Sequence, residues 1–252
     1  DPGVYQATST EVAEGSVIDA SALTKGDGGE VVIWSKIDDK SAVTYASGSI
    51  FSRGGLLGGN GGRIETSGGK LNISGISVDT KSISGSDGTW LIDPYDIIIT
   101  SSGNNYDESG VSPNLTWTAN TDSSQISISN IVTGLSSSNI TISTGDVGVG
   151  SQDGDITVAS ALTSSSTNSL TLDADRNINI NADVDLGGAI SLEGQDIVLN
   201  NNIISGSGSS SIIGKLSGSG NFAQTNGGLT INATGDSTYN GVISGTGGLT
   251  KL

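Results

Sequence analysis

The chain contains no cysteine, no methionine and no histidine in its 252 residues. Without cysteine there is no disulfide and no thiolate metal site, though an oxidising compartment stays open to it. Without histidine the commonest general base and the commonest transition-metal ligand are missing. Proline is nearly absent, with 3 residues, and aromatic residues make up only 4%. No run approaches the roughly 18 consecutive apolar residues of a membrane-spanning helix. Basic residues are scarce: 10 Lys and Arg stand against 26 Asp and Glu, a formal charge of −16. Nucleic-acid binding depends on clustered Lys and Arg, so this balance argues against it, and equally against an electrostatic grip on anionic membrane. No secretory leader is recognisable before Asp1-Pro2-Gly3, and the chain reads as an internal piece of something longer.

What is present is regular. Glycine is abundant, with 39 residues, and the apolar share is 33%. The apolar residues fall in short runs, some continuous such as Val31-Val32-Ile33-Trp34 and many alternating such as Ile126-Ser127-Ile128 and Ile140-Thr141-Ile142, separated by Gly, Ser and Asp turns. No stretch shows a 3.6-residue period, so no helix is expected. Leu170-Thr171-Leu172 returns about 20 residues later as Ile190-Ser191-Leu192, and Val184 with Leu186 returns as Ile203-Ile204. A unit of three short strands cannot bury its apolar face alone, but a stack of such units can. The pattern therefore predicts an all-β chain, a parallel β-solenoid with rungs of about 20 residues and three short strands per rung. Roughly 12 rungs at about 4.8 Å per step predict a rod of about 55–60 Å. Ala174, Ala182 and Ala189 suit a narrow interior; Asn200-Asn201-Asn202 and Asn177, Asn179 and Asn181 suit corners, where amides stack in ladders. An antiparallel sandwich is the rival, but it calls for hairpin signals and more aromatics.

Residues 85–100 bring together one of the 3 tryptophans, a proline, a tyrosine and a run of three isoleucines within Gly- and Ser-rich sequence. Trp90-Leu91-Ile92 and Ile97-Ile98-Ile99 flank Asp93-Pro94-Tyr95-Asp96, which reads as strand, corner, strand, because proline forbids a continuing helix. Trp90, Asp93, Pro94 and Tyr95 are expected to form a packed structural corner. Three segments follow: a first β-helix block over 1–100 ending at that corner, an irregular segment or loop over 101–125, and a second block over 126–252. One continuous solenoid is expected. Residues 1–11 are read as a partial cap, and the C-terminal end as uncapped.

Several of these stretches resemble the filamentous-haemagglutinin family. They are residues 14–20 (EGSVIDA), 26–34 (GDGGEVVIW), 59–68 (GNGGRIETSG) and 88–94 (GTWLIDP), continued by 138–144 (SNITIST) and 154–158 (GDITV). Residues 170–180 (LTLDADRNINI) are similar to the high-molecular-weight adhesins of that group of large Gram-negative exoproteins, many of which are exported by a two-partner route. Residues 239–251 (YNGVISGTGGLTK) look like the short repeat found in autotransporter passengers. The resemblance implies a right-handed parallel β-helix and export to the cell surface by an outer-membrane transporter partner. It also implies roles in adhesion or biofilm, or in carrying a toxic tip.

Candidate sites are few. Carboxylate pairs stand at Asp38-Asp39, Asp93/Asp96, Asp153/Asp155 and Asp173/Asp175; with Arg176, the last is the best match to a polysaccharide-cleaving cluster. Asp also caps turns in any solenoid, which is the commoner use. Asp153-Gly154-Asp155 and residues 26–30 offer oxygen ligands for calcium but lack the twelve-residue loop pattern. Asn72, Asn114, Asn139 and Asn232 open Asn-X-Ser/Thr sequons, possible glycan acceptors, at about the frequency chance gives. Trp34 and Trp90 lie in apolar strands and are expected to be packed. Tyr106 and Trp117, in the irregular segment, are the residues to contact a ligand. The expectation is thus a non-catalytic shaft or adhesin segment of a secreted surface exoprotein, with no cofactor, no metal, no nucleic acid and no membrane insertion. It would bind a host or surface receptor, protein or glycan. The alternatives are a polysaccharide-active β-helix enzyme and the stalk of a contact-dependent inhibition toxin.

Overall fold

The structure is a computed structural model, and it describes residues 6–103, 106–111, 114–119, 123–144 and 154–252. Strand partners lie far apart along the chain and run parallel: Leu170 faces Ile190, Ile178 faces Ile197 and Val184 faces Ile203. The chain winds as a parallel β-helix with three faces. Along each strand, alternate residues turn inward, and those positions carry the Ile, Leu and Val side chains of a single core.

The first face stacks Glu30–Trp34, Arg63–Ser67, Thr89–Asp93, Asn139–Ser143 and Leu170–Asp173. It continues through the first parts of Ile190–Leu199 and Ser210–Gly218, then Leu229–Asn232 and Leu249–Lys251. The second face starts with Ser9–Val12, Val43–Ala46 and Lys70–Asn72 and ends at Thr238–Tyr239. The third starts with Val17–Asp19, Ser49–Phe51 and Ser77–Asp79 and resumes at Leu162–Ser164. Ile190–Leu199 turns the corner from first face to second without a break, its register slipping between Glu193 and Asp196. Among the described residues the first face has nine strands, which at about 4.8 Å per step span about 38 Å. That is shorter than the rod expected, because the early rungs are long. Val31 pairs with Ile64 and Ile64 with Trp90, so 33 and 26 residues separate partners there. From Ile156 onward the spacing is 19 to 22 residues. The extra early residues go into Gly-rich corner loops.

In the fourth turn the winding breaks. After Ile97–Thr100 the chain leaves as a two-stranded antiparallel hairpin, Tyr106–Val111 with Asn114–Ala119. It returns as Ser124–Ser127, which pairs with Ile97–Thr100 and lies beside Lys70–Asn72, where Ser124 Oγ accepts the Leu71 N–H at 3.1 Å. One strand is thus slipped in behind its predecessor. A helix, Ile128–Leu135, then occupies the third face, where a strand belongs. The sequence reading missed this helix, although Ser127 is an N-cap accepting the Asn130 N–H, and Ile128, Ile131 and Leu135 lie on one stripe. Eight residues are too few for the pattern to stand out between strands. The helix is stitched to both neighbouring strands: Ser137 Oγ donates to Val78 O at 2.8 Å, and Asn168 Nδ2 donates to Leu135 O at 3.0 Å.

The expected Asn ladders are present at a corner of the later rungs. Asp183 Oδ1 accepts the Asn202 N–H, Asn202 Oδ1 the Asn221 N–H and Asn221 Oδ1 the Val242 N–H, at 2.9 to 3.1 Å. Asn200 donates to Asn181 Oδ1 at 2.8 Å. Asn177 and Asn179 instead lie within the strand Asn177–Ile180. Ala174 is buried, while Ala182 and Ala189 are only half-buried near corners. Of the segment read as a cap, Ser9, Thr10 and Glu11 already pair with Val43, Thr44 and Tyr45 as the first rung.

Trp90 is 1% exposed and packs beneath the helix. A Cβ added at Gly134 would lie 2.9 Å from both the Trp90 ring and Ile140 Cδ1. Gly134→Val is therefore expected to destabilise the chain by about 2 kcal/mol through overpacking. Gly235→Ala, where nothing lies within 4 Å of the added carbon, should change the denaturation midpoint little. Equal midpoints for the two variants would show that the helix does not rest on Trp90.

Candidate functional site

The corner after Trp90 is packed as the sequence implies. Trp90 Nε1 donates to Thr66 Oγ1 at 3.1 Å; Pro94, Tyr95 and Asp96 are buried, and Ile97 and Ile99 fill the core. Lys40 Nζ stands 5.6 Å from the Tyr95 ring centre. The Tyr95 hydroxyl is buried without a hydrogen-bond partner among the described residues. Burial, then the carboxylates of Asp38 and Asp39, hold its pKa above the usual phenol range.

Asp96 closes the junction. Its Oδ1 accepts the N–H groups of Gly154 and Asp155, each at 2.8 Å, joining the corner to a strand nearly 60 residues later. Burial raises the Asp96 pKa, and the two N–H donors oppose that rise. Arg176 reaches Asp155 with Nε at 2.8 Å and Nη2 at 2.6 Å, which holds the Asp155 carboxyl below its ordinary pKa. The guanidinium of the proposed Asp173/Asp175/Arg176 cluster is therefore engaged with Asp155. Asp173 is on the outer side of its strand, beside Ser143 and Glu193. Asp38 meets Lys36 at 3.7 Å, and Asp39 accepts from Ser41 N and Oγ. Asp27 accepts the Asn60 N–H at 2.7 Å. Among the described residues no three acidic side chains converge as a metal site; Asp153 lies outside them.

An outward column on the first face runs Leu91, Thr141, Thr171, Ser191, Ser211, Thr230, Thr250, so that six successive rungs place a hydroxyl at the same point. Toward the ends of these strands, Trp34, Ser67 and Asp93 pair on the early rungs, with Ser67 itself buried, and Ser143, Asp173 and Glu193 pair on the later ones. Trp34 is 45% exposed, against the expectation that it is packed. Parity is the reason: Ile33 takes the inward position, so the next residue must point out. Burial, then Glu65 and Asp173, push the Asp93 carboxyl up to about 6.

The hairpin pairs Glu108 with Trp117 and Tyr106 with Ala119 across its two strands. Their side chains, with that of Asn114, lie outside the described residues. Among the other sequons, Asn72 is 4% exposed and accepts the Ser74 N–H. Asn139 donates to Asp87 O and Gly88 O and accepts from Ser169, and Asn232 is half-buried. A glycan on Asn72 or Asn139 would have to be added before folding. Neither protein-family models nor curated proteins give a match to the sequence.

Two outcomes follow from this geometry. A carboxyl raised from 3.8 to about 6 makes the folded state bind protons more tightly, so its stability declines as pH rises from about 4 to 6. Asp93→Asn is expected to melt like the parent near pH 3.5 and above it at pH 7.5; a gain that is the same at both pH values contradicts the shift. Asp96→Ala leaves two N–H groups without an acceptor and should cost about 2–4 kcal/mol, whereas Asp96→Asn retains an acceptor and should cost less. Chemical denaturation of both variants tests the clamp.

Proposed function

We propose that this chain is a non-catalytic shaft or adhesive segment of a secreted exoprotein at the surface of a Gram-negative bacterium. Its work is to attach to host cells or other surfaces and to project whatever lies beyond it. The observation that carries the reading is the ladder of outward hydroxyls from Thr141 to Thr250. It repeats one weak contact group at strand spacing on a rigid rod, which favours multivalent attachment over a single pocket. The exposed Trp34 and the Tyr106/Trp117 hairpin add aromatic groups for stacking on a glycan. The resemblance to filamentous haemagglutinins supports the same reading, as it does export through an outer-membrane partner. The use of Arg176 by Asp155 weighs against the polysaccharide enzyme.

Beads coated with the chain are expected to attach to host cells or glycan-coated surfaces. Replacing Thr171, Ser191 and Ser211 together by Val should reduce attachment about tenfold while the melting temperature holds, since strands favour β-branched residues. Attachment no better than that of albumin-coated beads would remove the adhesive reading. Turnover of an acidic polysaccharide, lost in Asp175→Asn, would replace it with the enzymatic one.

A further inference from the structure

The chain contains three Asn-Gly steps, at Asn60-Gly61, Asn226-Gly227 and Asn240-Gly241. Such a step is chemically fragile, because glycine leaves the following backbone nitrogen unhindered and within reach of the asparagine side-chain carbon. The structure separates the three. At Asn60 every group is held. Its N–H donates to Asp27 Oδ1 at 2.7 Å and its Oδ1 accepts the Ser86 N–H at 3.0 Å. Its carbonyl accepts the Gly28 N–H, and the Gly61 N–H donates to Ser86 O, both at 2.9 Å. At Asn226 the side chain is exposed, but its peptide is anchored by the buried Gln224, whose Nε2 donates to Asn226 O. At Asn240 the side chain is exposed and nothing anchors the step. Among the described residues neither its amide, its backbone carbonyl nor the Gly241 N–H has a hydrogen-bond partner.

Packing also keeps residue 241 a glycine, since a Cβ there would run into Gly220 O and the Tyr239 ring. We infer that Asn240 is a site of spontaneous covalent modification, cyclising onto the Gly241 nitrogen and reopening as isoaspartate. Hydroxide takes the Gly241 amide proton, and the nitrogen attacks Asn240 Cγ. The new C–N bond forms as the Cγ–Nδ2 bond breaks, and the leaving nitrogen recovers a proton from water and departs as ammonia. Water then adds to the backbone carbonyl of the ring and breaks its bond to the Gly241 nitrogen, so the chain now runs through Cβ and Cγ. The path from Tyr239 to Val242 becomes one carbon longer and carries a new carboxylate. That stretch aligns the strand after it. Phe222 N donates to Val242 O and Asn221 Oδ1 accepts the Val242 N–H, each at 2.9 Å, and Ile243–Gly245 pairs with Phe222–Gln224. Conversion therefore loosens Ile243–Gly245 from the third face. The inference is independent of the adhesive reading.

Incubating the folded chain in mildly alkaline buffer tests it, with peptides mapped by electron-transfer fragmentation, which tells isoaspartate from aspartate. Conversion at Asn240 is expected to be at least about tenfold faster than at Asn60, with Asn226 between them. In denaturant the three sites should convert at similar rates, because the hydrogen bonds that protect two of them are gone. Asn240→Ser should abolish the modification and, when fresh, melt like the parent, since the exposed side chain has no partner to lose. Amide hydrogen exchange over residues 243–245 should rise as the parent ages and stay constant in the variant. Equal rates at Asn240 and Asn60 in the folded chain, or conversion at Asn226 as fast as at Asn240, overturn the inference. A ranking that persists in denaturant does so too, because it then belongs to the local sequence. So does a converted parent whose exchange over 243–245 matches that of the fresh protein.

Discussion

Parallel pairing between successive turns is the constraint on which this molecule depends. A three-residue strand such as Val184–Leu186 has neither the length nor the apolar area to persist alone. It is stable because Leu162–Ser164 lies on one side of it and Ile203–Ser205 on the other, each presenting an apolar side chain at the same inward point. Every backbone group that leaves the core must find its partner one turn away, so an interruption anywhere has to be repaired locally.

The fourth turn is that repair. The chain departs into the hairpin, and its return strand Ser124–Ser127 fills the second face next to Ile97–Thr100. The third face is then continued by a helix, whose own backbone bonds are internal and which offers the adjoining strands only side chains and its last carbonyls. Asn130, Ser137, Ser166 and Asn168 bridge the gap that results. Trp90 fills the volume left beneath the helix, and Gly134 gives the indole room. Asp96, with its two N–H donors, ties the turn before the interruption to the turn after it. The corner of Trp, Asp, Pro and Tyr is thus the place where a broken winding is closed.

The same repetition shapes the outside. Inward positions are mostly aliphatic, with Trp90, Phe222 and a few small or amide side chains such as Thr66, Ser205 and Gln224 among them, while outward ones are free to repeat whatever the surface requires, here hydroxyls on one column. The carboxylates keep the rod acidic. The Gly-rich loops of the early rungs expose aliphatic side chains instead, and they are rigid because glycine lets neighbouring backbones touch.

Residue types and their order determined the strands, the parallel stacking, the Asn ladders and the buried corner, because alternation and a period near 20 are local properties of the chain. The later rungs were the most legible, since their loops are short and the period is undisturbed. Trp34 points outward although its run is apolar, because four apolar residues in succession, Val31 to Trp34, leave the inward positions undecided and only the position of Ile33 settles them. The helix carried a local signal, Ser127 and the stripe Ile128, Ile131 and Leu135, too short to stand out between strands; the slipped strand and the Asp96 clamp came from tertiary structure alone. Each joins residues tens of positions apart, and no spacing along a chain records which distant N–H a carboxylate will meet.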